Sequence, residues 1–229
     1  MVIAGYEAEL RPIDLRTYCE RDDARGGGAP DEIDLYCVAN VASLVDPTEL
    51  LRAASPVEPP YWVLPWIGAR AIAAKLRASA PQPATRILDL GCGLGLAGVA
   101  AGARGAHVTF ADNVPAALEF AAANARLHRL RAFETACIDF TAAARMDAFD
   151  LIAAADIVYD PAAYVALCDF LVAHLAPGGR LLLTESLRAD AREVIEMLAR
   201  RGIAGPCDAV WIVEEGRAER TWLHTLTRK

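Results

Sequence analysis

The residues best placed to do chemistry begin with Asp89, Gly91, Gly93 and Gly95, in the run ILDLGCGLGLAG over Ile87–Gly98. An apolar run holding one carboxylate turns through three glycines and enters small, apolar residues of helical type. Glycines allow a sharp turn and let a ligand approach the main chain closely. A helix N-terminus adds N–H donors and a partial positive charge. Such a site suits a nucleotide-like ligand. Three more carboxylates each follow an apolar run: Asp112, Asp139 and Asp156. Asp112 lies 23 residues after Asp89 and is placed to accept hydrogen bonds from a ribose diol. Phe140, next to Asp139, offers a ring to stack on a base. Asp156 opens the run Asp156-Ile157-Val158-Tyr159, where a carboxylate and a ring can orient a nucleophile.

These groups need elements to hold them. Arg86–Leu90, His107–Ala111, Phe133–Ile138, Phe149–Ala155 and Arg180–Glu185 read as strands. Helices are expected over Trp66–Ala80, Leu94–Arg104, from Pro115 to about His128, from Asp160-Pro161 to about Leu175, and over Ala189–Arg201. Asn113 is the expected cap of the third helix, with Pro115 in its first turn. Pro177-Gly178-Gly179 reads as a turn, and Gly202 stops the last helix. Trp211–Glu214 and Thr221–Thr227, linked by Glu215–Glu219, should form an antiparallel hairpin. Alternating strands and helices imply a parallel sheet with helices on both faces. Ligands of such sheets bind beyond the carboxyl ends of the strands, where strand order reverses. All four carboxylate features lie in or after such strands.

Residues 1–60 form an N-terminal extension or cap ahead of a main domain at 61–229. Glu7–Tyr18 and Glu32–Val45 read as strands or amphipathic segments, and Arg21–Pro30 as a glycine-rich loop. A short helix is expected near Thr48–Ala54, then a proline-stiffened connection, Ser55–Pro60. Tyr61, Trp62 and Trp66 follow, and such aromatics close pockets or fill cores.

The chain has 229 residues and 55% apolar content, enough for a sizeable core. Its apolar runs fall short of the roughly 20 residues of a membrane span. The start has acids where a signal peptide would be basic and then apolar, so a cytoplasmic, membrane-free protein is expected. The six cysteines show no metal-ligand or disulfide spacing, so no metal is expected. All of the −7 net charge lies in residues 1–60, with twelve acids and five bases. With no basic stripe, a nucleic-acid partner is not expected. A monomer is expected.

The glycine signal fits two cofactors. Gly93-Leu94-Gly95-Leu96-Ala97-Gly98 satisfies the dinucleotide pattern G-x-G-x-x-G. Asp89, Gly91, Gly93 and Gly95 also satisfy the D-x-G-x-G-x-G pattern of S-adenosylmethionine enzymes. Three features favour the second. Asp89 lies inside a strand, where a buried carboxylate needs a partner that the cofactor's methionine end would help supply. Asp139-Phe140 offers an edge contact and a stack for adenine. A terminal hairpin closes the sheet of methyltransferases.

Residues 61–229 resemble a class I S-adenosylmethionine-dependent methyltransferase. The resemblance implies a Rossmann-like α/β fold: a seven-stranded, mostly parallel sheet with helices on both faces and a C-terminal antiparallel hairpin. Together, PYWVLPWIGARAIAAKL at Pro60–Leu76, the glycine run, FADN and ADIVYDP resemble lysine methyltransferase family sixteen and its bacterial nicotinamide N-methyltransferase-like members. Two positions depart from that pattern. Proline precedes Trp66 as Pro65 instead of following it, and Phe140 stands where tryptophan is common. The resemblance implies that Gly91, Gly93 and Gly95 line the methionine and ribose portion, with Cys92, Asn113 and Ala155 beside them. It implies that Asp112 holds the ribose, that Asp139 and Phe140 meet the adenine, and that Trp66 lies over the cofactor near the methyl group. Asp156 and Tyr159 would form the catalytic, acceptor end. The implied reaction moves a methyl group to nitrogen, on a protein lysine or a small molecule, and leaves S-adenosylhomocysteine. A nicotinamide-dependent oxidoreductase is the other reading.

Overall fold

A computed structural model describes residues 1–19, 31–41, 44, 60–79, 84–142, 146–185, 191–214 and 217–229. The expected loop at Arg21–Pro30, the helix near Thr48–Ala54 and the connection before Pro60 lie outside the described residues. The strands are β1 (Val2–Ile3), β2 (Tyr6–Asp14), β3 (Thr17–Cys19), β4 (Glu32–Val38), β5 (Arg86–Leu90), β6 (His107–Asp112), β7 (Phe133–Cys137), β8 (Phe149–Ala155), β9 (Leu175–Glu185), β10 (Ile203–Ala204), β11 (Cys207–Glu214) and β12 (Arg217–Arg228). The helices are α1 (Ile67–Ala78), α2 (Leu96–Gly102), α3 (Pro115–Leu127), α4 (Tyr164–His174) and α5 (Arg192–Arg200).

The main sheet runs β3-β11-β12-β9-β8-β5-β6-β7, with β10 beside β12. Neighbours from β9 to β7 pair in parallel. β12 lies antiparallel between β9 and β11. This is the expected mostly parallel sheet with a C-terminal hairpin, carrying β3 and β10 in addition. The chain leaves β5 toward β6 and β7, then returns to β8 on the other side. Strand order therefore reverses between β5 and β8, the place where sheets of this kind bind their ligands.

Several boundaries differ from expectation. The hairpin is longer, with Glu214 opposite Arg217, because cross-strand pairs such as Trp211 with Arg220 continue the ladder. β9 begins at Leu175, so Pro177-Gly178-Gly179 is an irregularity within a strand whose register shifts opposite Phe149 and Leu151. Gly178 takes the left-handed φ of +74° there. A 3-10 turn over Pro161–Ala163 precedes α4, and Asp160 caps it by accepting from the Ala162 N–H at 3.0 Å. Asn113 does not cap α3. The cap position of that helix is Val114, which makes no side-chain cap bond, and Asp112 accepts from the Val114 N–H at 3.0 Å.

One face of the sheet packs Leu88, Leu90, Ile152 and Leu181 against α4 and α5. The other face packs Ile87 and Leu151 against α1, α2 and α3. The sheet β1-β2-β4 contributes Ile13, Leu35 and Val38 to that same core, so it lies outside the helices as a further layer. It docks through the backbone of its edge strand. Tyr36 of β4 bonds Asn124 on α3, the Asp34 carbonyl accepts from His128 at 2.6 Å, and the Glu32 carbonyl accepts from Arg77 of α1 at 3.1 Å. These alternate residues are the ones whose outer backbone groups would otherwise lack partners. β3 continues this segment onto the main sheet, pairing with Val210–Ile212 of β11.

Candidate active site

The glycine turn leaves β5 at Leu90 and enters α2 at Leu96. Gly91, Gly93 and Gly95 take φ values of +65°, +50° and +81°, which side chains rarely adopt. Each is also closely covered. A Cβ on Gly91 would lie 2.6 Å from Ile157 Cγ2, and one on Gly93 would lie 3.0 Å from the Trp62 carbonyl oxygen. On Gly95 it would meet Ala121 at 2.9 Å and Phe110 at 3.0 Å. Gly95 thus serves the packing of α2 on β6 and α3. Gly91 and Gly93 bring the ends of β8 and the aromatic segment onto the turn. Cys92 is buried, its N–H donates to the Ala111 carbonyl, and burial pushes its thiol well above the ordinary range.

Asp89 sits behind the turn. It is 2% exposed and accepts from the Gly98 N–H at 2.8 Å. The chain itself therefore supplies one partner for this buried carboxylate. Burial pushes the carboxyl up to about 7, the Gly98 bond opposes this, and Asp112 adds to it.

Asp112 ends β6 and bridges two turns. Its carboxylate accepts from the Gly93 N–H at 2.9 Å and from the Val114 N–H at 3.0 Å. Burial raises its pKa, against these backbone bonds. A carboxylate has about four acceptor positions, so capacity for a diol remains. Asn113 follows, with its carbonyl 3.9 Å from the Cys137 thiol. The Ile138 N–H donates to the Asp112 carbonyl at 3.0 Å, which sets Asp139 and Phe140 beside Asp112. Asp139 is exposed and accepts from the Thr141 hydroxyl at 2.6 Å and N–H at 2.8 Å. Those bonds hold its carboxyl below the ordinary value. Phe140 packs partly buried against the α4–α5 side core, as does Ile157.

At the end of β8, Ala155 pairs with Thr184, and Asp156 takes a left-handed φ of +54°. The Asp156 N–H points back to Thr184, 3.2 Å from its carbonyl and 3.3 Å from its hydroxyl. The Asp156 carboxylate accepts from the Gly68 N–H, in the first turn of α1, at 3.0 Å. It thus caps a helix 88 residues earlier in the chain. A Cβ on Gly68 would lie 2.2 Å from the Thr184 hydroxyl and 2.4 Å from the Asp156 carboxylate. Gly68 and Thr184 were not among the expected site residues. The signals were a glycine in the first turn of a helix and a hydroxyl closing an apolar strand.

The aromatic segment divides. Trp62 turns inward, with its ring 5.4 Å from Tyr6 and 5.5 Å from Phe120. Tyr61 and Trp66 turn outward, 6.1 Å apart, and the Trp66 indole donates to the Tyr61 carbonyl at 2.7 Å. Tyr61 also lies 6.3 Å from Tyr159, which is 58% exposed. Tyr61, Trp66 and Tyr159 form a rim beside Asp156. The fold therefore brings the glycine turn, Asp112, Asp139, Phe140, Asp156, Trp66 and Tyr159 to one end of the sheet, and keeps Asp89 and the free side of Gly95 in the packing beneath. Among the described residues, no His, Cys, Asp and Glu groups converge as a metal site. No described helix is long and apolar enough to cross a membrane.

Residues 87–179 match the family model described as a methyltransferase domain. The chain is 36% identical over 121 residues to a ribosomal protein L11 methyltransferase of Chromohalobacter salexigens, covering 52% of this chain and 39% of that one. It is 39% identical over 107 residues to a ubiquinone biosynthesis O-methyltransferase of Xylella fastidiosa, covering 43% and 41%. It is 32% identical over 143 residues to an electron transfer flavoprotein β-subunit lysine methyltransferase of Xenopus laevis, covering 59% and 56%. The chain thus spans between two fifths and just over half the length of these relatives. In structure it resembles the N-methyltransferase NodS of Bradyrhizobium japonicum in complex with S-adenosylhomocysteine, with a TM-score of 0.56 at 23% identity over 68% of this chain and 83% of that one. The family match begins on the strand that carries the glycine turn, and the mostly parallel sheet with its C-terminal hairpin is similar in fold to that solved structure.

Proposed function

We propose that the protein is an S-adenosylmethionine-dependent methyltransferase that methylates nitrogen, with a protein lysine side chain as the acceptor. The observation that carries this reading is the row formed by the glycine turn, Asp112 and Asp156 along the carboxyl ends of β5, β6 and β8, with the aromatic rim beside Asp156.

The donor set fits the cofactor. Asp112 keeps acceptor capacity for the ribose hydroxyls, and Asp139 keeps a second carboxylate oxygen for the adenine amino group, with Phe140 at the ring. Gly91, Cys92, Gly93 and Gly95 would line the methionine portion, with Asn113 and Ala155 at its sides and Trp66 toward the methyl end. When bound, the cofactor supplies a methyl group activated on a cationic sulfur. The protein's work is alignment of the nucleophile with that methyl group. Asp156 would accept a hydrogen bond from the acceptor amine and orient its lone pair. The faces of Tyr61, Trp66 and Tyr159 would tolerate a methylated ammonium.

The likeness to enzymes named for a ribosomal protein and for a flavoprotein subunit supports a protein acceptor. A small-molecule acceptor is the second reading, favoured by the likeness to a ubiquinone biosynthesis O-methyltransferase. Labelled S-adenosylmethionine incubated with the protein and a cell extract tests both. The expected result is one labelled protein band, with the label on lysine. Label confined to the small-molecule fraction establishes the second reading, and no transfer across varied extracts overturns the activity. Thermal stabilisation by NAD but not by S-adenosylhomocysteine overturns the cofactor.

A further inference from the structure

We infer that Asn124 is a positioning residue through which the N-terminal sheet holds the glycine turn and so sets cofactor affinity, an inference that rests on the methyltransferase reading above. Asn124 is fully buried on α3, in the alanine-rich run AAANA. Its side-chain oxygen accepts from the Tyr36 N–H at 2.7 Å. Its amide group donates to the Tyr36 carbonyl at 3.2 Å and to the Leu94 carbonyl at 2.9 Å. One carboxamide thus pairs with β4 as a neighbouring strand would, and with the next N–H ties that strand to the middle of the turn. Leu94 stands between Gly93 and Gly95, the two glycines with left-handed backbone on either side of it.

A turn made of such residues has little to hold its shape from its own side chains, since glycine leaves the backbone free. Its shape is set by what grips its carbonyls and N–H groups. Asp112 grips the Gly93 N–H from β6, and Asn124 grips the Leu94 carbonyl from α3. Trp62 adds a second link to the same sheet, with its carbonyl against Gly93 and its ring against Tyr6 of β2. The ring of His128, one turn further along the chain, bonds the Asp34 carbonyl of β4. It therefore separates docking of the sheet from its grip on the turn.

Calorimetric titration with S-adenosylhomocysteine, paired with thermal melts, tests the inference on the full chain. Asn124→Ser is expected to lower both melting temperature and affinity, the latter about 10-fold, within the usual size of such couplings. His128→Ala is expected to lower the melting temperature and leave affinity within about twofold, since it leaves the turn's partners in place. An Asn124→Ser protein that melts earlier but binds as tightly as the wild type overturns the inference. Hydrogen exchange in the unmutated chain gives a second measurement that needs no variant to fold. Coupling is reciprocal, so saturating S-adenosylhomocysteine is expected to slow exchange of the Tyr36 amide. Unchanged exchange there overturns the inference. Wild-type protein that binds no S-adenosylhomocysteine overturns the methyltransferase reading before any variant is made, and this inference with it.

Discussion

Asp156 holds two positions with one carboxylate, as the cap of α1 and as the proposed partner of the acceptor nitrogen. Asp156→Asn keeps an oxygen for the Gly68 N–H, so stability should change by less than about 1 kcal/mol. Methyl transfer should fall by about 100-fold or more, because the amide is a weaker acceptor and a weaker base. Urea unfolding and single-turnover transfer measure the two effects apart. Gly68→Ala tests the cap from the other side. Its Cβ would lie 2.2 Å from the Thr184 hydroxyl and 2.4 Å from the Asp156 carboxylate, so those side chains or α1 must shift. A loss of about 1–3 kcal/mol in stability is expected, as for overpacked sites, together with a loss of transfer. Asp89 offers a titration. Its carboxyl rises from 3.8 to about 7 in the folded chain, so the folded state binds the proton more tightly than the unfolded state. That contribution is full below 3.8 and is lost as pH rises through about 7. Asp89→Asn cannot titrate and still accepts from Gly98. Its stability should fall less steeply with pH across this window, as urea midpoints at several pH values would show. Asp112, raised by the same cause, still titrates in that variant, so a slope remains.

The segment from Tyr61 into α1 is the element that joins core and site. It sends Trp62 into the core and Tyr61 and Trp66 to the rim, within one short turn. Trp62→Ala should cost less than the roughly 3–5 kcal/mol of a fully buried aromatic, about 2–3 kcal/mol, because Trp62 is partly buried against the core. Tyr61→Ala should change stability little, because Tyr61 is 40% exposed, and should weaken use of the acceptor. Melting temperature and the KM for the acceptor read these effects separately. An equal loss of stability in both variants would show that the segment is not divided in this way.

The N-terminal sheet and the helices α1–α3 share one apolar core, and β3 pairs directly with the hairpin strand β11. Removing residues 1–59 would uncover Phe120, take the Tyr36, Asp34 and Glu32 partners from Asn124, His128 and Arg77, and free one edge of β11. A chain starting at Pro60 should therefore aggregate on expression, while the full chain stays soluble. The soluble fraction and gel filtration would show this. A monomeric, cofactor-binding fragment would show that the helices and the main sheet are self-sufficient.

Much of this molecule was legible in the order of residues, for a physical reason. Buried parallel strands demand apolar runs, and turns with left-handed backbone demand glycine, so both leave marks in the local sequence. Those marks located β5, β6, β8 and the turn at Gly91–Gly95, and they put Asp112, Asp139 and Asp156 at strand ends. The hairpin followed from two alternating runs, although its length did not, because pairing continued through polar residues. What the tertiary structure decided were partnerships across long separations in the chain. Asp89 meets the N–H of Gly98, Asp156 meets Gly68, and Asn124 joins Tyr36 to Leu94. The division of Tyr61, Trp62 and Trp66 between rim and core is of the same kind. A hydrogen bond or a ring contact depends on where two distant segments come to lie. No local period or composition encodes that, and only packing the layers together settles it.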